Sequence, residues 1–165
     1  SARPQTMRQK VAGARLLEYN GRCGNSSYME GRMTEQIEVP TQARSELRDI
    51  TSLVQQVLAE IGIQEGVCHL FVPHTTAGIT LNENWDPDVR DDLVRALAEM
   101  VPGLRFRHGE GNSPAHLLAT LVGASETLLV EGGRLVLGSW QGVYLAEFDG
   151  PRRRRVLLRV VPDPE

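Results

Sequence analysis

The chain has 165 residues, 24% charged and 41% hydrophobic, with a formal net charge of −3. That length favours one domain burying roughly 70% of the surface its unfolded chain exposes. The composition suits a soluble globular protein, the charge argues against wholesale nucleic-acid binding, and no apolar run approaches the ~20 residues of a membrane helix.

Residues 1–10 are polar and basic with no apolar segment behind them, so no secretory signal is expected. Two cysteines, Cys23 and Cys68, form no Cys-x-x-Cys pattern. Cys68 lies in an apolar strand pattern and is expected to be a buried thiol. The absence of a cysteine framework points to a cytoplasmic protein.

Residues 1–32 read as an N-terminal extension that drapes over the core or adds a strand, and residues 33–165 as a single domain. Residues 11–19 suit either a strand or a short helix, and residues 21–27 a loop. Residues 35–39 alternate polar and apolar and stop at Pro40, which predicts a strand. Thr41 is a plausible helix cap. From Ala43 onward, Leu47, Ile50, Val54, Val57, Leu58 and Ile61 keep three-to-four spacing, which predicts a helix ended by Gly62.

Residues 66–72 are apolar on both faces, as in a central strand, and Pro73 ends it. Residues 78–81 read as a second short strand. Asp86 and Pro87 form a cap and first turn for a helix carrying Val89, Leu93, Ala96, Leu97 and Met100 on one side. Ser113 and Pro114 start another helix over residues 115–122, ended by Gly123. Strands are expected at 127–131 and 134–137 around Gly132-Gly133, which suits a tight hairpin. Two more strands follow at 143–148 and 156–161. The order is β-α-β-β-α-α-β-β-β-β. It predicts an α+β fold with a mixed or antiparallel sheet packed with about three helices.

Polar groups concentrate in residues 74–88 and 108–116, more densely than packing between buried elements requires. Three of the four histidines lie there: His74, His108 and His116. They could hold a divalent metal with a fourth position open for water or substrate, or serve as hydrogen-bonding loop residues. His69, in mid-strand, reads as a satisfied core or edge residue. Glu83, with Asn82 beside it past a strand end, could orient a water or act as a base. Asp86 is explained as a helix cap and kept as a catalytic candidate. The start of the helix near Ser113 offers N–H groups to a phosphate, with Thr75 and Asn112 as further binding candidates. Trp140 and Gln141 either stack on and hydrogen-bond a ring or fold onto the core. Glu147 needs a partner if buried, and Arg152 is a candidate. The run from Arg152 to Arg155 reads as a solvated strand edge.

Several stretches together resemble the YjbQ-like family, often labelled secondary thiamine-phosphate synthase enzymes. They are His-Thr-Thr-Ala at 74–77, Asn82-Glu83, Asp86-Pro87 and the spacing from His108 through Asn112 to Ala115-His116. Gly-Arg-Leu at 133–135, Leu-Gly-Ser-Trp-Gln-Gly at 137–142 and Glu147 with Asp149-Gly-Pro-Arg152 complete the set. The resemblance covers residues ~35–161 and leaves out the first 32. It implies a homotrimer with sites near subunit boundaries. It implies a metal near His74, His108 and His116, commonly zinc, with magnesium an alternative for a diphosphate substrate. It implies joining of a pyrimidine diphosphate to a thiazole phosphate with release of pyrophosphate.

The expected function is therefore a metal-dependent enzyme acting on a small phosphorylated heterocycle, without nucleic-acid or membrane partners. The rival readings are a non-catalytic trimeric metabolite- or metal-binding module and a metal-assisted phosphate hydrolase.

Overall fold

A computed structural model describes residues 14–16 and 34–164. It is α+β, with every strand pairing among the described residues antiparallel. The elements are β1 (Ala14–Leu16), β2 (Thr34–Pro40), β3 (Glu46–Asp49), α1 (Thr51–Ile61), β4 (Gly66–Phe71) and β5 (Ala77–Glu83). After them come α2 (Pro87–Glu99), α3 (Ser113–Val122), β6 (Ser125–Glu131), β7 (Arg134–Leu135), β8 (Gln141–Glu147) and β9 (Arg153–Pro162). The loop expected at residues 21–27 lies outside the described residues, as does Cys23.

Two sheets face each other. One runs β1-β2-β9-β4-β6-β7 and the other β3-β8-β5. Between them lies the main core, where Ile37, Val54, Leu58, Leu70, Ile79, Leu145 and Leu158 are buried. The smaller sheet is apolar on both faces. Val143 and Leu145 of β8 point into the main core, while Tyr144 and Ala146 join Leu47, Leu118 and Phe148 in a second cluster. Against that second cluster pack Leu93, Val94 and Leu97 of α2 and Val122 of α3. The period-two alternation of a strand lets one segment serve both cores.

Several boundaries differ from the sequence reading. The first helix starts at Thr51, and Glu46–Asp49 is a strand paired with β8. Leu47 and Ile50 imitate a helical stripe, but they enter different clusters. The carboxylate of Asp49 accepts from the Thr51 N–H and hydroxyl, 2.9 and 2.6 Å. Thr41 caps no helix. Strand β5 extends through Asn82 and Glu83, and β9 begins at Arg153, so all of the arginine run except Arg152 lies within a strand. The cap of α3 is Asn112, one residue before Ser113, and it makes no side-chain cap bond.

Other signals hold. Gly62 ends α1 with φ 79°, and its N–H reaches the Leu58 carbonyl. Gly132 and Gly133, φ 56° and 74°, turn the chain between β6 and β7. Asp86 caps α2 by accepting from the Asp88 N–H at 2.9 Å, with Pro87 behind it. Cys68 is a buried free thiol whose pKa burial pushes up to about 12. His69 is exposed on β4 and its Nδ1 meets the Thr127 hydroxyl at 3.1 Å. Among the described residues, no helix is long and apolar enough to cross a membrane.

Candidate functional site

The pairing of β5 with β8 sorts the candidate residues into two groups. At one end Ala77 faces Glu147, and at the other Glu83 faces Gln141. Six residues separate these ends, which at about 3.3 Å per residue is about 20 Å.

The first end is built around Glu147, which is fully buried. Its Oε1 accepts from the Phe148 and Asp149 N–H groups at 3.0 and 2.9 Å, and from Arg154. Its Oε2 accepts from the Thr41 hydroxyl at 2.9 Å and Arg154 Nε at 2.7 Å. Burial alone would raise the pKa of this carboxyl; hydrogen bonds from Arg154, Asp149 and Thr41 outweigh it and hold the group below its ordinary value. The partner is Arg154, 5% exposed, rather than Arg152. Arg154 stands in phase with Val156, Leu158 and Val160, which face inward along the same strand. That phase is the sequence signal that distinguishes it from exposed Arg153 and Arg155. With five donors on two oxygens, Glu147 has no acceptor position left for a substrate in this arrangement.

Arg154 also donates to the Thr76 hydroxyl at 2.8 Å. His74, just before this turn, accepts the Arg155 N–H on Nε2 at 2.9 Å. Burial, then the cations Arg154 and Arg155, lower its pKa, with Glu147 opposing. A neutral imidazole that accepts on Nε2 carries its proton on Nδ1, so neither nitrogen has a lone pair free. His74 here ties the chain leaving β4 to the edge of β9. Thr75 is exposed next to it.

Nearby, Asp149 accepts from Asn112 Nδ2 at 3.2 Å and from Arg152 at 2.8 Å. These two hydrogen bonds hold its carboxyl below the usual range. Asn112 Oδ1 is buried and has no partner among the described residues. One turn into α3 stands His116. Its ring centroid lies 5.5 Å from that of exposed His108, the planes at 65°. Two nitrogens sharing one ion through bonds of about 2.0–2.1 Å can meet that separation. Among the described residues, no group of three or more His, Cys, Asp or Glu lies close enough to hold a metal. The single chain therefore brings two of the three candidate histidines together and keeps His74 apart, engaged with backbone.

The second end is open. A cleft of about 620 Å³ is lined by Leu81, Asn82, Glu83, Gly138, Ser139, Trp140 and Gln141. Four candidates thus share one hollow. Trp140 is 63% exposed, which decides against its folding onto the core. The Asn84 N–H bonds the Trp140 carbonyl at 2.8 Å, holding the turn to the end of β5. Gly142 lets Asn84 lie close: a Cβ there would stand 2.7 Å from Asn84 Nδ2. Asp86 belongs to this end but serves α2 as its cap. Sequence reasoning gave Thr41 only a helix-cap part and did not single out Thr76, Asn84 or Arg154, whose parts depend on chain segments meeting from far apart.

The family described as UPF0047 protein YjbQ-like matches residues 35–163. The chain is 47% identical over 131 residues to the UPF0047 protein YugU of Bacillus subtilis, covering 78% of this chain and 99% of that one. It is 43% identical over 133 residues to a UPF0047 protein of Methanocaldococcus jannaschii, covering 80% and 96%. Among solved structures it is similar to an uncharacterised YjbQ/UPF0047 protein from Clostridium acetobutylicum, with TM-score 0.73, 44% identity and coverage of 76% and 98%. It is also similar to a protein of unknown function from Sulfolobus solfataricus, with TM-score 0.74, 35% identity and coverage of 80% and 98%.

Proposed function

The chain belongs to the UPF0047 YjbQ-like family, and from that premise we propose an enzyme acting on a phosphorylated heterocycle at a site shared between subunits of a homotrimer. The observation that carries this reading is the division of the candidate groups. His108, His116 and Asn112 gather at one end of the β5–β8 pair, and Asn82, Glu83, Trp140 and Gln141 at the other. Neither end alone has a full set. A heterologous contact whose rotation closes into a ring of copies, one subunit's end meeting the other end of its neighbour, would unite them.

His108 and His116 would hold a divalent metal, zinc, or magnesium with a diphosphate substrate, whose further ligands come from substrate or a neighbouring subunit. When bound, the metal would neutralise charge on phosphate oxygens. Asn112 Oδ1 is an acceptor awaiting a donor. At the start of α3, Pro114 has no N–H and the Ala115 and His116 N–H groups donate to the Asn112 carbonyl, which leaves the Ser113 N–H, with Arg152 joined to Asn112 through Asp149, to meet phosphate. Glu83 supplies the base, and Trp140 with Gln141 holds the ring. The reaction to assay first is the one the resemblance implies, joining a pyrimidine diphosphate to a thiazole phosphate with release of pyrophosphate.

The test is subunit complementation. Glu83→Gln and His116→Ala should each abolish pyrophosphate release, and co-assembled mixed oligomers should recover about a quarter of the wild-type rate. Mixed oligomers as inactive as either parent would refute the shared site. His116→Ala should also lose bound metal while staying folded; metal analysis showing equal loading would remove these histidines from that role.

A further inference from the structure

We propose that the open cleft between Glu83 and Trp140 selects a positively charged organic ring bearing an oxygen substituent, and that it excludes phosphate. This rests on reading that cleft as the ring-binding half of the site.

Glu83 is the sole charged side chain among the residues lining the cleft. Its carboxylate has no hydrogen bond or ion pair among the described residues. The flanking segment from Asn82 to Asp88 adds Asp86 and Asp88 and contains no lysine or arginine. Arg134 lines the neighbouring hollow with Asp49, where their charges offset one another. Arg90, which acts on the Tyr144 hydroxyl bonded to the Glu83 carbonyl, offsets one of the three carboxylates Glu83, Asp86 and Asp88, and the remaining balance is negative. A phosphate there would face an unpaired carboxylate, whereas a cation would be drawn in.

The indole adds to the same preference. Trp140 is 63% exposed, so its ring faces are free to stack. An indole face carries negative quadrupolar potential and attracts a cation placed over it. Trp85, 82% exposed, follows the residue whose N–H bonds the Trp140 carbonyl, so both of the chain's tryptophans stand at this end.

The two amides set the substituent. Asn82 Oδ1 already accepts from the Glu83 N–H at 2.7 Å, and Gln141 Oε1 from the Gly138 N–H at 2.8 Å. With both oxygens engaged, their NH₂ groups remain as donors. Donors suit a carbonyl or hydroxyl oxygen on the ligand. The cleft thus offers the Trp140 π face and the Glu83 carboxylate for a cation, and Gln141, paired directly across from Glu83, as a donor for an oxygen on the ring, with Asn82 at the rim.

A matched pair of probes tests this. 1-Methylnicotinamide and nicotinamide share a ring and a carboxamide and differ in the charge that methylation fixes. Titration calorimetry of the oligomer, with the Trp140 indole N–H followed by NMR, should give a Kd at least about fivefold lower for the charged ring. Glu83→Gln should bring the ratio close to one, and Trp140→Ala should weaken both probes. Inorganic phosphate should not displace the charged ring. Equal affinity for the two rings, no binding of either, a preference that survives Glu83→Gln, or displacement by phosphate would each overturn the proposal. The binding needs neither metal nor turnover. Failure of subunit complementation with the charge preference intact would reject the shared catalytic site alone.

Discussion

The two ends of the β5–β8 pair treat polar groups in opposite ways. Around Glu147, every acceptor position on the carboxylate is taken, and the Arg154 guanidinium spans Glu147 and Thr76. Around Glu83, the glutamate and the amide residues Asn82 and Gln141 line an open cleft beside an exposed indole. Both ends carry a glutamate on a strand of the same small sheet. Burial separates their roles: a buried charge must be satisfied within the chain, whereas a partly exposed one can wait for a ligand.

The strongest way to break the contrast is at the closed end. Arg154→Ala should lower unfolding free energy by about 3–5 kcal/mol, because it leaves a carboxylate buried without its countercharge. Chemical denaturation measures this, and a loss below about 1 kcal/mol would mean that Glu147 finds solvent. Glu147→Gln keeps the volume but turns one acceptor oxygen into an NH₂ donor facing other donors and leaves Arg154 without its countercharge, so it should cost a similar amount.

Next in size is Gly78→Ala. A Cβ at Gly78 would stand 2.5 Å from the Gly123 carbonyl oxygen, where α3 ends against β5. A backbone neighbour cannot swing aside as a side chain can, so a cost of about 1–3 kcal/mol is expected. Unchanged thermal stability would show that α3 can shift freely on β5.

Acid provides a smaller, reversible test of the same end. The pKa of His74 is lowered from its ordinary 6.5, so between its folded value and 6.5 the unfolded chain binds more protons. Stability should therefore be complete above about pH 6.5 and fall as pH drops below it. The carboxyls of Glu147 and Asp149, both held below their ordinary values, add a further loss at lower pH. His74→Gln, which can still accept the Arg155 N–H, should remove the upper part of this dependence in melting curves. A curve that keeps its upper part would show that another group titrates there.

The smallest effects on stability belong to the open end. Glu83→Gln and Trp140→Ala should change unfolding free energy by no more than about 0.5 kcal/mol while weakening binding at the cleft. If either variant were strongly destabilised in dilute monomer, the cleft would be structural and the contrast between the ends would fail.

Much of this could be read from residues near one another in the chain. Asp86 and Pro87 start α2, Gly62 ends α1, and two glycines turn β6 into β7. Each depends on local backbone conformation, so local sequence suffices. Strand β3 was hidden because Leu47 and Ile50 fit a helical period by coincidence while facing two different cores. Arg152, the candidate partner of Glu147 from the sequence, gives way to Arg154. Period-two phase along β9 sends Arg154 inward, whereas Arg152 precedes the strand and pairs with Asp149.

By itself the sequence determined the α+β class, the Asp86 cap of α2 and the Gly62 stop of α1, the family and the two polar stretches that carry the candidate groups. Local propensity, apolar period and motif are properties of neighbours in the chain. Only the tertiary structure decided which groups stand together. It placed His108 beside His116, engaged His74 with β9, closed Glu147 in a buried ion pair and left Glu83 facing a cleft. Those outcomes follow from strand register and burial, set by contacts between segments far apart in the chain, such as Thr41 and Glu147, 106 positions apart.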